Sequence, residues 1–364
     1  ASAGLTGPPR EDARMTKIAP DALNPGVKKR EVFGWAMYDF ANSGYTTVVL
    51  TAVFNTYFVG VVAADASWAT LAWTLALAVS CLVVMFTMPA IGAFADLRAA
   101  KKKLLALTTA ACVATTLALA AVGRGEVALA VVAIVLSNVF YSYGESLTAA
   151  FLPELAKRDA LGKVSGWGWS FGYFGGMLSL GLSLAYVLWA QGQGHKAEQF
   201  VPVTMLITAG VYGLASLATF ALLRERAVAQ TGPAHGLADS LERLRQTWQE
   251  ARRYRDFSWL LACATAYQAG IAVVIALAAV YAEQVLGFEQ VQTMALVFLV
   301  NIASAVGAFA FGYWQDRTGH KRALAVTLVG WIVMCALAAL ATTAALFWVA
   351  AVVAGLCMGS SQSA

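Results

Sequence analysis

The sequence predicts an all-α polytopic membrane protein built from two related halves. Three observations carry that prediction. Of 364 residues, 60% are hydrophobic and only 12% charged, well below the ~25% charge of a soluble domain. The apolar residues gather into runs of the ~20 residues that cross a bilayer. One polar loop also occurs twice. Gly92-Ala-Phe-Ala-Asp96-Leu-Arg98-Ala-Ala-Lys101-Lys102-Lys103 follows the second run, and Gly312-Tyr-Trp-Gln-Asp316-Arg317-Thr-Gly319-His320-Lys321-Arg322 follows the eighth, 220 residues later. In each copy a Gly is followed four residues on by Asp and then by a basic cluster. One copy alone reads as the basic flank of a span. Two copies at equivalent places point to duplication.

Ten spans are expected, at roughly 33–59, 69–96, 104–122, 126–152, 164–190, 201–223, 257–283, 291–315, 322–341 and 345–364. Several exceed the minimum length and must tilt, kink or protrude. The last stops at Ala364 with no polar flank, so the chain is expected to be cut within or at the end of a span. Residues 1–32 are polar, with Pro8, Pro9, Pro20 and Pro25, and read as a disordered cytosolic tail without a signal peptide. Met15 is a candidate natural start. The remaining units are a six-span half over 33–223, a cytoplasmic linker over 224–256 and a four-span half over 257–364.

Lys and Arg set the orientation. With the tail placed in the cytoplasm, all but two of the 25 basic residues fall on that side, the exceptions being Arg124 and Lys196. The net charge of +5 is therefore a topology signal. It points to anionic lipid headgroups at the basic loops and away from nucleic acid. In the linker, Leu237, Leu241, Leu244, Trp248 and Ala251 recur at spacings of three and four among Arg243, Arg245, Arg252 and Arg253. That pattern is an amphipathic helix on the membrane surface or, alternatively, a helix for a regulatory partner. The five cysteines lie inside apolar runs and the three histidines in loops, so neither disulfides, a metal site nor a cofactor is expected.

Six spans, a long loop and further spans, with the Gly-xxx-Asp-basic loop after spans two and eight, resemble the major facilitator superfamily. The second loop matches that family's motif at Gly312, Asp316, Arg317, Gly319 and Lys321. The first departs from it: Leu97 stands at a basic position beside Arg98, and Ala99 replaces the second Gly. Gly34-Trp35-Ala36-Met37-Tyr38-Asp39-Phe40-Ala41-Asn42-Ser43 is similar to the first-span signature of the vacuole effluxer branch, autophagy-linked amino-acid exporters and their bacterial relatives. Phe151-Leu152-Pro153-Glu154-Leu155, Gly162-Lys163-Val164-Ser165-Gly166 and Tyr281-Ala282 with Val285-Leu286-Gly287-Phe288 support the match, which runs from about residue 31 to the end. An acid common in span seven of that branch is absent from Tyr267-Gln268-Ala269-Gly270. Twelve spans are usual, so spans eleven and twelve are expected to be missing. The resemblance implies a monomer in the inner membrane of a bacterium, moving a small solute by alternating access and exporting neutral amino acids; the residues themselves leave drugs, peptides and sugars open.

Ionisable groups inside spans are functional candidates by default. Asp39 lies about two turns inside span one, and Glu145 at similar depth in span four. Both spans line the central cavity in the superfamily fold. A carboxylate that can be neutral inside a membrane is a proton carrier, so Asp39 and Glu145 are the candidate proton-coupling pair. The alternative for Asp39 is a helix pin bonded to Asn42, Ser43 or backbone. Tyr38, Asn42, Tyr45, Asn138, Tyr141, Tyr267, Gln268 and Asn301 are the candidate substrate contacts, with interhelical bonding the alternative for each Asn and Gln. Tyr57, Trp68 and Trp189 suit the interfacial belt. Gly168, Gly172 and Gly176 share one face of span five, which reads as close helix packing.

The loops themselves are the candidate gates: Gly92, Asp96 and Arg98 in the first copy, and Gly312, Asp316, Arg317, Gly319 and Lys321 in the second. Each Asp can accept hydrogen bonds from the N-terminus of a neighbouring helix and pair with an Arg across the seam. The second copy is expected to form the tighter gate. A proton-coupled secondary transporter is the leading function. The alternative is a non-transporting membrane sensor or scaffold on the same fold. No HExxH, GxSxG or Walker loop is present, so neither an enzyme nor an ATP-driven pump is expected.

Overall fold

The computed structural model describes residues 22–64, 66–227, 245, 249, 253–341 and 343–363. The expected tail up to residue 21, with Met15, lies outside them. So do Leu237, Leu241, Leu244, Trp248 and Ala251 of the amphipathic segment. Among the described residues, ten helices are long and apolar enough to cross a membrane. They are α1 (Lys29–Val62), α2 (Ala69–Arg98), α3 (Lys101–Leu119), α4 (Val127–Ala149), α5 (Leu161–Gly192), α6 (Ala197–Leu222), α7 (Arg255–Gln284), α8 (Gln290–Thr318), α9 (His320–Ala339) and α10 (Ala344–Ser363). The helices α1–α6 precede the 228–252 segment and α7–α10 follow it. The one β-type pairing among the described residues is an isolated bridge, Leu23 to Ala156.

The turn after α2 shows how the repeated loop bends the chain. Ala99 takes the left-handed conformation with φ 49° and ψ 49°, and its N–H bonds back to Ala95 and Asp96. In the second copy Gly319 occupies the equivalent place with φ 88°. A positive φ costs an L-residue roughly 1–2 kcal/mol and glycine almost nothing. The orphan N–H groups opening α3 are capped from a distance: Glu225 accepts from the backbone of Lys101 and Lys102, both at 2.9 Å.

Helix α1 is not regular. Residues Thr46–Ala52 and Phe58–Val62 are π-helical, on either side of a short α-helical turn at Phe54–Tyr57. The run Thr46-Thr47-Val48-Val49-Leu50-Thr51 holds five β-branched residues. Such side chains crowd the preceding turn, which helps a wider winding compete. Single π turns are frequent at functional sites.

Helix α5 is the element on which α1 and α8 both pack, and its glycines make that possible. Toward α1, a methyl on Gly175 would collide with the backbone of Phe40, and one on Gly168 would lie 2.5 Å from the Trp35 ring and 3.0 Å from Asp39 Oδ2. Toward α8, Gly166 and Gly312 face each other, with 3.3 Å between the methyl position of one and the Cα of the other. The glycine face read as packing thus packs on α1, and a second one, Gly162 and Gly166, packs on α8. Helices α8 and α10 use the same device at Gly307, Gly355 and Gly359.

The end of α1–α6 that carries the basic loops is tied together by charge. Glu31, 1% exposed, pairs with Arg226 at 2.6 Å. Lys101 Nζ lies 2.9 Å from both Asp96 and Glu154. Asn24 bonds to the carbonyls of Leu155 and Pro153, which straps the start of the described chain against the α4–α5 connection. At the other extreme, α2 exposes Leu71, Leu75, Leu82, Met85 and Phe86, an apolar flank suited to lipid.

Candidate functional site

A cavity of about 420 Å³ lies between α1–α6 and α7–α10. Its walls differ in character. One is polar and comes chiefly from α1, which contributes Asp39, Asn42, Ser43, Thr46, Thr47 and Thr51, with Tyr141 and Glu145 from α4. The facing wall is apolar, with Val274 and Leu277 on α7, Trp331 and Met334 on α9, and Phe347 and Ala350 on α10. Trp169 and Tyr173 of α5, Asn301 and Ser304 of α8 and Gln362 of α10 fill the space between.

The π-helical winding fixes the polar wall. Thr51 Oγ1 donates to Thr46 O at 2.9 Å, and Thr46 Oγ1 donates to Tyr141 O–H at 2.9 Å. Tyr141 stacks on Tyr45 with centroids 5.0 Å apart, and Tyr45 O–H meets Ser137 Oγ at 2.7 Å. Behind the wall runs a buried chain of hydroxyls. Tyr212 donates to Asn42 Oδ1 at 2.9 Å, and its oxygen is 3.1 Å from that of Tyr38, which in turn meets Thr109 at 3.2 Å. These bonds satisfy the polar groups they bury and leave α1 little freedom to rotate.

The expected site residues therefore separate into two groups. Asp39, Glu145, Asn42, Tyr141 and Asn301 all line the cavity. Tyr38, Tyr45 and Asn138 do not. Tyr38 and Tyr45 are fully buried in the network behind the wall, and Asn138 Nδ2 bonds to Ser80 of α2 at 2.5 Å. Tyr267 packs behind the apolar wall, against Ile271, Trp331 and Met334, without itself lining the cavity, and Gln268 is exposed. Thr46, Thr47, Thr51 and Ser304 line the cavity without a mark in the sequence, because a hydroxyl in an apolar run more commonly bonds to its own helix.

Asp39 sits where α1 crosses α5. A methyl on Gly172 would lie 3.1 Å from Asp39 Cβ, so Gly168 and Gly172 are the gap into which this side chain fits. The Asp39 side chain makes no hydrogen bond or ion pair among the described residues. No group of three or more His, Cys, Asp or Glu placed to hold a metal occurs among them either.

The walls are joined across the seam by polar contacts. Thr47 Oγ1 donates to Asn301 Oδ1 at 3.4 Å, Ser170 Oγ to Ala305 O at 3.1 Å, and Tyr173 O–H to Gln362 Oε1 at 2.7 Å. Nearer the basic loops, Trp167 Nε1 donates to Tyr313 O–H at 3.1 Å. Lys163 Nζ lies 5.4 and 5.3 Å from the centroids of the same two rings.

The two repeated loops have different surroundings. In the first, Asp96 pairs with Lys101, the head of its own loop's helix. Arg98 lies over the Phe94 ring, and Gly92 has open space around it. In the second, Gly312 touches α5 and Asp316 Oδ1 lies against Gly162, in the first turn of α5. Arg317 and Lys321 are exposed.

A family model described as vacuole effluxer Atg22 like matches residues 55–364. An uncharacterized MFS-type transporter of Bacillus subtilis, YxiO, is 27% identical over 336 residues, covering 90% of this chain and 78% of the relative. Among solved structures, the xylose transporter XylE of E. coli aligns with a TM-score of 0.60 at 14% identity over 90% of this chain and 85% of its own. The human organic anion transporter MFSD10 aligns with a TM-score of 0.60 at 14% identity over 92% and 84%.

Proposed function

Because the chain belongs to the vacuole effluxer Atg22-like family of the major facilitator superfamily, whose members are secondary transporters of small solutes, we propose that it is a proton-coupled exporter of neutral amino acids. The observation that carries the reading is the pair of carboxylates on one cavity wall, Asp39 from α1 and Glu145 from α4. Taking a carboxylate out of water penalises its charged form, so a cavity acid that opens to alternate sides can load a proton on one and release it on the other. The apolar wall opposite suits a hydrocarbon side chain. The proposal places the chain as a monomer in a bacterial inner membrane. The N-terminus and both repeated loops are cytoplasmic, and the basic loops lie against anionic headgroups. The second loop, around Asp316, serves as the gate.

The test is flux of radiolabelled leucine in proteoliposomes with an imposed pH gradient. Concentrative, gradient-driven flux that collapses in both Asp39→Asn and Glu145→Gln is expected. Full, pH-dependent flux in both variants would sink the coupling role. Absence of flux for an amino-acid and sugar panel would favour a sensor or scaffold.

A further inference from the structure

We infer that the cavity selects its substrate by a protonated amine joined to an apolar tail, and that the carboxylate of an amino acid is dispensable for binding. The inference rests on the transporter reading and narrows its substrate class. The observations are positional. Asp39 and Glu145 are both on the polar wall, and Asp39 has its hydrogen-bonding capacity unspent among the described residues. Trp169 and Tyr173 line the same cavity, their rings 6.4 Å apart. Trp331 and Met334 stand on the apolar side.

An ammonium group is held in such a place by a charge-assisted hydrogen bond to a carboxylate and by the negative faces of aromatic rings. The hydrocarbon end of the same molecule then leaves water along α7, α9 and α10, and the volume suits one small ligand. A carboxylate on the substrate enters a space that already holds two acids, one of them ionised when it grips the ammonium. That charge repels it, so the zwitterion gains from its amine and loses from its acid. A decarboxylated analogue keeps the gain alone.

The experiment uses the full chain in lipid nanodiscs and four probes with one ring: 2-phenylethylamine, phenylalanine, 3-phenylpropionate and 2-phenylethanol. Binding is read by calorimetry. The amine is expected to bind at least about tenfold more tightly than phenylalanine, and 3-phenylpropionate not at all. Asp39→Asn and Glu145→Gln should erase the preference of amine over alcohol. Trp169→Leu, which keeps both acids, should weaken the amine about threefold or more beyond any loss of the alcohol, because only the amine carries the cation that the ring faces. Phenylalanine binding as well as the amine, a preference surviving in both acid variants, or no saturable amine binding would each overturn the inference. Counterflow of labelled phenylalanine on the same preparation separates the two readings. Flux without amine preference removes only the substrate class. Amine-selective binding without flux of any probe removes only transport.

Discussion

Asp316 of α8 lies over the first turn of α5, so close that a methyl on Gly162 would stand 2.6 Å from its Oδ1. A carboxylate at a helix N-terminus meets the free N–H groups and the positive end of the dipole, worth about 1 kcal/mol. The contact joins α8 to α5 across the seam, whereas Asp96 in the earlier loop pairs with Lys101 beside it.

Asp316→Ala is expected to shift the population toward opening at the basic-loop side by about fivefold. Cys335 lines the cavity, so a variant retaining it as the single cysteine reports the shift through a membrane-impermeant maleimide. Gly162→Ala, which displaces the carboxylate, should do the same. Unchanged labelling in both would show that the contact does not hold the gate.

Ala99→Gly is expected to stabilise the protein. Ala99 holds φ 49°, and relief of that conformation is worth about 1 kcal/mol. The melting temperature in detergent should rise by a few degrees, while Gly319→Ala at the equivalent turn should lower it. A fall in the first case would refute the strain argument.

Arg226→Ala is expected to be among the costliest substitutions outside the cavity. It leaves Glu31 buried and without its cation, at on the order of 3 kcal/mol. The paired change Glu31→Gln with Arg226→Gln should recover much of the loss, because no uncompensated charge remains. Thermal melts of the single and double variants form the cycle that checks it.

Tyr313→Phe is expected to remove the bond from Trp167 while keeping the ring that Lys163 faces. Tyr313→Leu removes both. A graded increase in labelling of Cys335 from the basic-loop side, small for Phe and about threefold for Leu, is the expected reading. Equal effects would assign the contact to packing alone.

The spans and their order were legible because each is a long apolar run, with Lys and Arg gathered in the loops at one end, a signal that needs no partner to be seen. The cavity lining was legible only where charge marked it. Asp39 and Glu145 stand out in any apolar helix, but Tyr38 and Asn42 are one turn apart and both bond to Tyr212, and only Asn42 also reaches the cavity. A membrane helix is apolar on every face, so its sequence carries no strong inward stripe. The π-helical turns of α1 add to this by changing the angular register after Thr46, the point from which Thr47 and Thr51 reach the cavity. Ala99 shows the opposite case. Its departure from the repeated motif was visible in the sequence, and the structure gives it physical content as a left-handed turn.

The bare faces of α5 have a mechanical consequence. Where α8 crosses Gly162 and Gly166, few side chains interlock, so rocking one group of helices over the other breaks few knobs out of holes. Resistance to motion is then concentrated in a few polar fasteners, Tyr173 to Gln362 and Trp167 to Tyr313 among them. The speed of the protein is accordingly open to tuning by single substitutions at those fasteners, with the packing of the bundle left intact.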